Sequence, residues 1–389
     1  MNETIKTDVC IVGAGPAGAS TSLMLAKLKI PHVIIDKAVF PRDKTCGDGL
    51  ILYAYKALSI LDDQLLKDFL KHPKFLHSKQ GRLHINNDLN VLFKESEDRG
   101  SLITYAKRID FDYFLVNRLS KEYATTEFGN EVKKLEEQED GVLVKLKDGK
   151  QILTKVVVGA DGIQSVVSRK LAKNTIDRSK TSTFINSYFE GVEGLPANLE
   201  AEVRMHYKKI PLFFYIFPLT DNQVNVSLGG NAESIQKHGI NLREEVEQII
   251  KTHPKVAHRF TKATQVGNWR GWGIPCHFEK VNVSGNRFLL VGDAAGLANA
   301  FYKEGVGTGM MSGILCARKI AECIEQDDFS AEFLASYQTD LQNEFGRFLK
   351  FSELAMRFAK YRRSFAGMAS IFRKRVERGA PAVIKRKSC

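Results

Sequence analysis

The period of the hydrophobic pattern changes several times along the chain, and each change marks an element. Residues 8–12 are a short β-branched and apolar run that reads as a strand. Gly13-Ala14-Gly15-Pro16-Ala17-Gly18 follows, then a helix of small residues through Lys27, then a second apolar run at 32–35 that ends on Asp36. Strand, glycine turn, helix and strand make one βαβ unit. Residues 101–121 predict a strand leading into a helix, with Arg108 at the join and the helix starting near Asp110. Runs at 132–135 and Val142–Leu146 predict two strands separated by acidic turn residues, and the alternation over 141–149 suits a hairpin with one wet face. Val156-Val157-Val158 reads as a buried strand ending in Gly159-Ala160-Asp161-Gly162.

From about 181 to 274 strand-like runs rich in aromatics dominate, at 184–189, 212–217 and 223–228. One helical segment, Leu242–Thr252, interrupts them. In the middle run, alternation puts Phe213, Tyr215 and Phe217 on one face of a strand. Residues 287–291 restore the buried-strand signal before Gly292-Asp293-Ala294-Ala295-Gly296. Gly305-Val306-Gly307-Thr308-Gly309 then opens a long helix through Ile324, and everything after Phe329 reads as helix. A sheet-rich unit is therefore inserted between pieces of an α/β unit.

The 389 residues suffice for two or three domains at roughly 150 each. With 43% hydrophobic and 26% charged residues, and 10 Pro against 30 Gly, the composition is globular. No apolar stretch reaches the ~18 residues of a membrane span, and the N-terminus lacks the pattern of a signal peptide. Six dispersed cysteines without a Cys-x-x-Cys pair indicate neither a disulfide framework nor a zinc site, and the nine histidines show no metal spacing. A cytoplasmic protein without a metal is expected.

The net charge of +12 is concentrated at one end. Residues 357–389 hold eleven Lys/Arg and one acid, Glu377, so the rest of the chain carries only +2. Within this tail Leu354, Phe358, Tyr361, Phe365, Met368, Phe372 and Val376 recur at helical spacing, with Arg357, Arg362, Arg363, Lys374 and Arg375 mostly off the stripe. Such a helix suits the inner face of an anionic membrane, or it docks on the protein's own body. No nucleic-acid module is apparent, so nucleic acid is not an expected partner. The sequence sets no oligomeric state.

The first turn has a direct chemical reading. Glycines let the backbone approach a pyrophosphate, the helix N-terminus offers unpaired N–H groups, and Asp36, 18 residues after the last glycine, can accept from ribose hydroxyls. With Gly159-Ala160-Asp161-Gly162 followed by Ser165, and Gly292-Asp293, the chain resembles flavoproteins of the p-hydroxybenzoate hydroxylase fold. Phe40-Pro41-Arg42-Asp43-Lys44-Thr45-Cys46-Gly47-Asp48-Gly49-Leu50 and Phe214-Tyr215-Ile216-Phe217-Pro218 are similar to the signatures of the geranylgeranyl reductase branch. Gly292–Gly296 with Lys303-Glu304-Gly305-Val306 continues that likeness, Lys303 standing where the branch has glycine.

The resemblance implies an α/β fold with a Rossmann-like FAD-binding domain (1–76, 101–180 and 281–328). It also implies an inserted antiparallel-sheet substrate domain (77–100 and 181–280) and a C-terminal helical region (329–389). It places FAD on Gly13, Gly15, Ala17, Gly18, Asp36, Lys37, Cys46, Gly47, Gly49, Arg108, Val132, Asp161, Asp293, Gly305 and Val306. Phe213, Tyr215, Phe217 and Trp272 would line the cavity of a hydrophobic small molecule, with Cys46, partly as thiolate, and Tyr215 as candidate catalytic groups. The implied activity is reduction of C=C bonds in an isoprenoid or similar lipid, with electrons from NAD(P)H or a small redox protein. Trp269-Arg270-Gly271-Trp272-Gly273-Ile274-Pro275 also resembles a flavin halogenase motif, but the two Trp are one residue too far apart and the Phe-Pro-Arg turn runs on to Cys-Gly. A monooxygenase or halogenase, or a flavin-loaded membrane-associated protein without catalysis, are the alternatives.

Overall fold

The computed structural model describes residues 4–85, 89–94, 101–359 and 361–377. Its first sheet has eight strands. Phe288–Leu290, Gln151–Gly159, Thr4–Val12, His32–Asp36 and Ala124–Phe128 lie side by side in that order and run parallel. Val142–Leu146 and Val132–Glu137 add antiparallel strands to Gln151–Gly159, and Ser284–Gly285 closes the other edge. Strands buried on both faces need continuous apolar sequence, and Val9 to Val12 and Val156 to Val158 are buried accordingly. The helices Pro16–Lys27 and Val306–Gln326 cross closely because small residues meet there. A Cβ on Gly313 would come 2.5 Å from the Ala17 carbonyl oxygen.

The second sheet has seven strands in the order Thr264–Pro275, Thr181–Glu190, Gln223–Asn231, Pro211–Pro218, Ala201–Tyr207, Gln80–His84 and Asn90–Lys94. All its pairings are antiparallel except that of Ala201–Tyr207 with Gln80–His84. Alternation divides the aromatic strand as its sequence implies. Phe214 and Ile216 pack with Leu242, Val246 and Ile249 of the helix Leu242–Thr252, while Phe213 and Tyr215 face the other way. Asn241 caps that helix by accepting from the Arg243 and Glu244 N–H groups. A small antiparallel sheet of Gly49–Ile51, Ile103–Tyr105 and Leu76–Ser78 packs against Ala201 and Phe217 of the second sheet.

The C-terminal region differs from the single stripe that the spacing suggested. Its helix breaks after Arg357 and a new one, Arg362–Glu377, follows. Phe365 is fully buried, its ring centroid 5.7 Å from Phe301 and 6.4 Å from Phe213, and Met368 packs in the same cluster. Leu354, Phe358 and Tyr361 are 43%, 37% and 55% exposed instead. The first part of the tail thus docks on the body, and the side chains of Phe372 and Val376 lie outside the described residues. Among the described residues no helix is long and apolar enough to cross a membrane.

Candidate active site

One cavity of about 890 Å³ runs from the first glycine turn to the aromatic face of the second sheet. Every residue on which the resemblance places FAD or the substrate wall lines it except Gly18. Gly18 stands behind the wall, where a Cβ would come 1.8 Å from the Gly13 carbonyl oxygen, so its role is to let the turn close. Gly13 holds φ +103 and passes against Ala160, which brings the first and second turns together.

The end next to the parallel sheet has the features of a dinucleotide seat. The helix Pro16–Lys27 starts at Gly15 without a side-chain cap, leaving its N-terminal N–H groups for a ligand. A Cβ on Gly15 would meet only the Arg42 guanidinium, at 3.6 Å, so this wall is open. Asp36 accepts from the Ala14 N–H (2.8 Å) and the Ala38 N–H (2.9 Å), which fixes its carboxylate at the cavity edge. Asp161 accepts from the Val166 N–H at 2.6 Å through one oxygen, while its buried Oδ1 has no partner in the protein. Burial raises the Asp161 pKa. Asp293 sits against Gly305, where a Cβ would come 2.9 Å from its carboxylate. Uncapped helix, open glycine wall and an orphaned carboxylate oxygen fit a cofactor rich in phosphate and hydroxyl groups.

Between the two ends lies the loop from Arg42 to Gly49, held from three sides. Arg108 makes a bidentate pair with Asp112 (2.6 and 2.8 Å), and Arg42 reaches the same carboxylate at 2.7 Å. Burial works against the Arg108 charge, but Asp112 overrides it and raises the pKa. The Cys46 carbonyl accepts from Asn186 (2.7 Å) and Asn225 (2.8 Å). Asp48, fully buried at φ +61, accepts from Asn225 (2.7 Å), Tyr188 (3.0 Å) and the Arg108 N–H (3.2 Å). Burial pushes its carboxyl up to about 7 against the pull of those donors. Lys44 lies 4.3 Å from the centre of the Trp272 ring, its pKa lowered chiefly by burial.

The expected thiolate at Cys46 is reversed. Burial raises its pKa and outweighs the nearby Arg108 and Lys44, so the group is a thiol. Tyr215 is likewise held protonated by burial. Its ring lies over Gly47, whose Cβ would come 3.0 Å from Cε2, and it stacks on Phe217 with centroids 4.7 Å apart. Asn186, Tyr188 and Asn225 escaped the sequence reading. A polar residue inside an aromatic-rich strand reads as a solvated face, so no local signal marks them.

Comparisons with known proteins give the chain a family. Residues 6–351 match the model of the FAD binding domain family. The chain belongs to that family. This FAD-binding protein is 26% identical over 361 residues to digeranylgeranylglycerophospholipid reductase 2 of Methanopyrus kandleri, covering 90% of the chain and 85% of the relative. It is 25% identical over 343 residues to the menaquinone reductase of Mycobacterium tuberculosis, covering 82% and 77%. A geranylgeranyl bacteriochlorophyll reductase-like protein from Thermoplasma acidophilum shares the fold with TM-score 0.79 at 19% identity, over 99% and 94% of the two chains. The halogenase PltM shares it as well, with TM-score 0.76 at 16% identity, over 96% and 82%. The expected FAD-binding family and α/β fold stand, and the likeness to proteins named as reductases extends over most of the chain.

Proposed function

We propose that this FAD-binding protein saturates C=C bonds of an isoprenoid or similar lipid. The observation that carries the reading is the continuity of one cavity. An aromatic wall of Phe213, Tyr215, Phe217 and Phe184 meets the dinucleotide end at Cys46 and Gly47. When bound, reduced FAD supplies a hydride. The chain's task is then to hold the alkene in a dry pocket and bring a proton to the second carbon. Tyr215 and Cys46 both carry protons at neutral pH, because burial raises both pKa values. Hydride on one carbon and a proton on its neighbour complete the addition of two hydrogens.

The relatives named as reductases of prenylated lipids and of menaquinone support this reading, and both names point to large apolar substrates. NAD(P)H or a small redox protein would supply the electrons. The basic tail would bring the protein to an anionic membrane, where such substrates reside.

The test is anaerobic photoreduction of the FAD-loaded protein, followed by mixing with a polyprenyl lipid or with oxygen and halide. Product two hydrogens heavier, formed without oxygen, is the expected result. Product that gains one oxygen or one halogen, and only when oxygen is present, would sink the reading in favour of oxygenation or halogenation. FAD bound tightly with no turnover in either arm would make the protein a flavin-loaded scaffold.

A further inference from the structure

Lys303 is a cation in a place that provides it no counter-charge. It lines the cavity beside the aromatic wall, with Nζ 5.7 Å from the centre of the Phe213 ring. Its ammonium donates to the Ser182 hydroxyl at 3.0 Å. Among the described residues no carboxylate reaches it. The adjacent Glu304 is turned away, accepting from the Gly307 N–H at the start of the long helix. Cys276, the titratable group that Lys303 feels, is pushed up to about 11 by burial and is neutral. Burial accordingly lowers the Lys303 pKa. The backbone is strained as well, at φ +58, a conformation suited to glycine. A half-buried ammonium on a left-handed backbone costs stability twice over, and an anion beside it would offset much of the first cost.

We propose that Lys303 anchors the acidic head of the substrate: the cavity takes an anionic amphiphile, its carboxylate or phosphate on Lys303 and Ser182 and its apolar chain along Phe213, Tyr215 and Phe301. This rests on the reading of the cavity as the seat of a lipid-like substrate. Phe301 and Phe213 are buried in one cluster with Phe365 of the docked tail, so the wall next to the ammonium is apolar. The charge therefore discriminates by head group, while the aromatic wall accepts chains of similar shape.

Calorimetric titration of the FAD-loaded protein with farnesol, farnesoate and farnesyl phosphate tests the assignment. At least one of the two anions should bind ~30-fold tighter than the alcohol. The tighter of the two tells a carboxylate head from a phosphate head. Lys303→Met should erase that preference, and Lys303→Arg should keep most of it. Lys303→Gly removes the charge and also relieves the positive φ, so it yields a folded protein without the preference even if Lys303→Met folds poorly. Equal binding of anions and alcohol by the unaltered protein overturns the proposal, as does a preference that survives in Lys303→Gly. Neither result touches C=C reduction, which uncharged prenols would still report. Failure of every prenyl compound to be reduced, with the preference intact, would remove the activity and leave the anchor.

Discussion

The Asn225 side-chain amide donates both to the Cys46 carbonyl, at 2.8 Å, and to the Asp48 carboxylate, at 2.7 Å, so a strand of the seven-stranded sheet shapes the loop in the middle of the cavity. Asn186 and Tyr188, on the neighbouring strand, complete the grip. Asn225→Ala leaves a buried carboxylate and carbonyl each one donor short, and should cost about 1–3 kcal/mol in urea unfolding. Asn225→Asp sets a second carboxylate against Asp48 and should cost more. An unchanged midpoint in both variants would mean that the loop holds its shape without this strand.

Two buried carboxyls, Asp48 and Glu304, are raised to about 7 by desolvation. Between the ordinary carboxyl range and pH 7 the folded chain keeps protons that the unfolded chain releases. Their contribution to unfolding free energy therefore falls as pH rises through that window and levels off above it. Histidines whose pKa desolvation lowers act in the opposite sense over much of the same range, half-buried His84 being lowered to about 4. The clean reading is thus a difference. Glu304→Gln keeps an oxygen for the Gly307 N–H but cannot ionise. Its stability relative to the unaltered protein should grow by up to ~1.4 kcal/mol per pH unit through the window and then stay flat. A difference independent of pH would refute the assignment.

The readable parts of this site were local in sequence. The βαβ unit, Asp36, Asp161 and Asp293 follow from strand-turn spacing, and the cavity face of Phe213, Tyr215 and Phe217 follows from the two-residue period of a strand. The helix Leu242–Thr252 is legible because Leu242, Val246 and Ile249 recur at one face. What stayed hidden depends on distant pairing. Nothing near Asn225 in sequence says that it meets Cys46, and a polar residue inside a strand reads as a wet face until the fold buries it. The tail misled for a related reason. The apolar spacing continues from Leu354 to Met368 although the helix breaks between Arg357 and Arg362, so residues of one apparent stripe face the core and the solvent by turns.

Tyr215→Phe tests the proton source. The phenol lies over Gly47, is kept neutral by burial and lines the aromatic wall. Losing it should slow alkene-dependent reoxidation of the reduced protein roughly 10²-fold, with FAD affinity unchanged. Cys46→Ala is the parallel variant for the thiol. If stopped-flow rates with both variants match the unaltered protein, neither residue delivers the proton.

Gly15 and Gly18 belong to one turn but should fail differently. A Cβ at 18 would meet the Gly13 carbonyl oxygen at 1.8 Å, so Gly18→Ala should prevent the turn from closing and yield little soluble protein. A Cβ at 15 points into the cavity. Gly15→Ala should therefore keep the native circular dichroism and urea midpoint of the FAD-free protein while weakening FAD, read as flavin content after dialysis. Equal soluble yields and equal flavin content for the two variants would contradict this division.

Stability and membrane attachment should separate within the tail. Phe365 is fully buried against Phe213 and Phe301, so Phe365→Ala should cost about 3–5 kcal/mol and lower the thermal midpoint. Deleting residues 378–389 removes Arg378, Lys385, Arg386 and Lys387 but none of that packing. At ~1 kcal/mol for each cation near an anionic surface, the deletion should sharply reduce co-sedimentation with phosphatidylglycerol vesicles at low salt and leave the midpoint alone. Phosphatidylcholine vesicles serve as the control, since they present no net charge to the tail. Co-sedimentation that survives the deletion, or that does not distinguish the two lipids, would remove electrostatics as the means of attachment and turn attention to exposed Leu354 and Phe358.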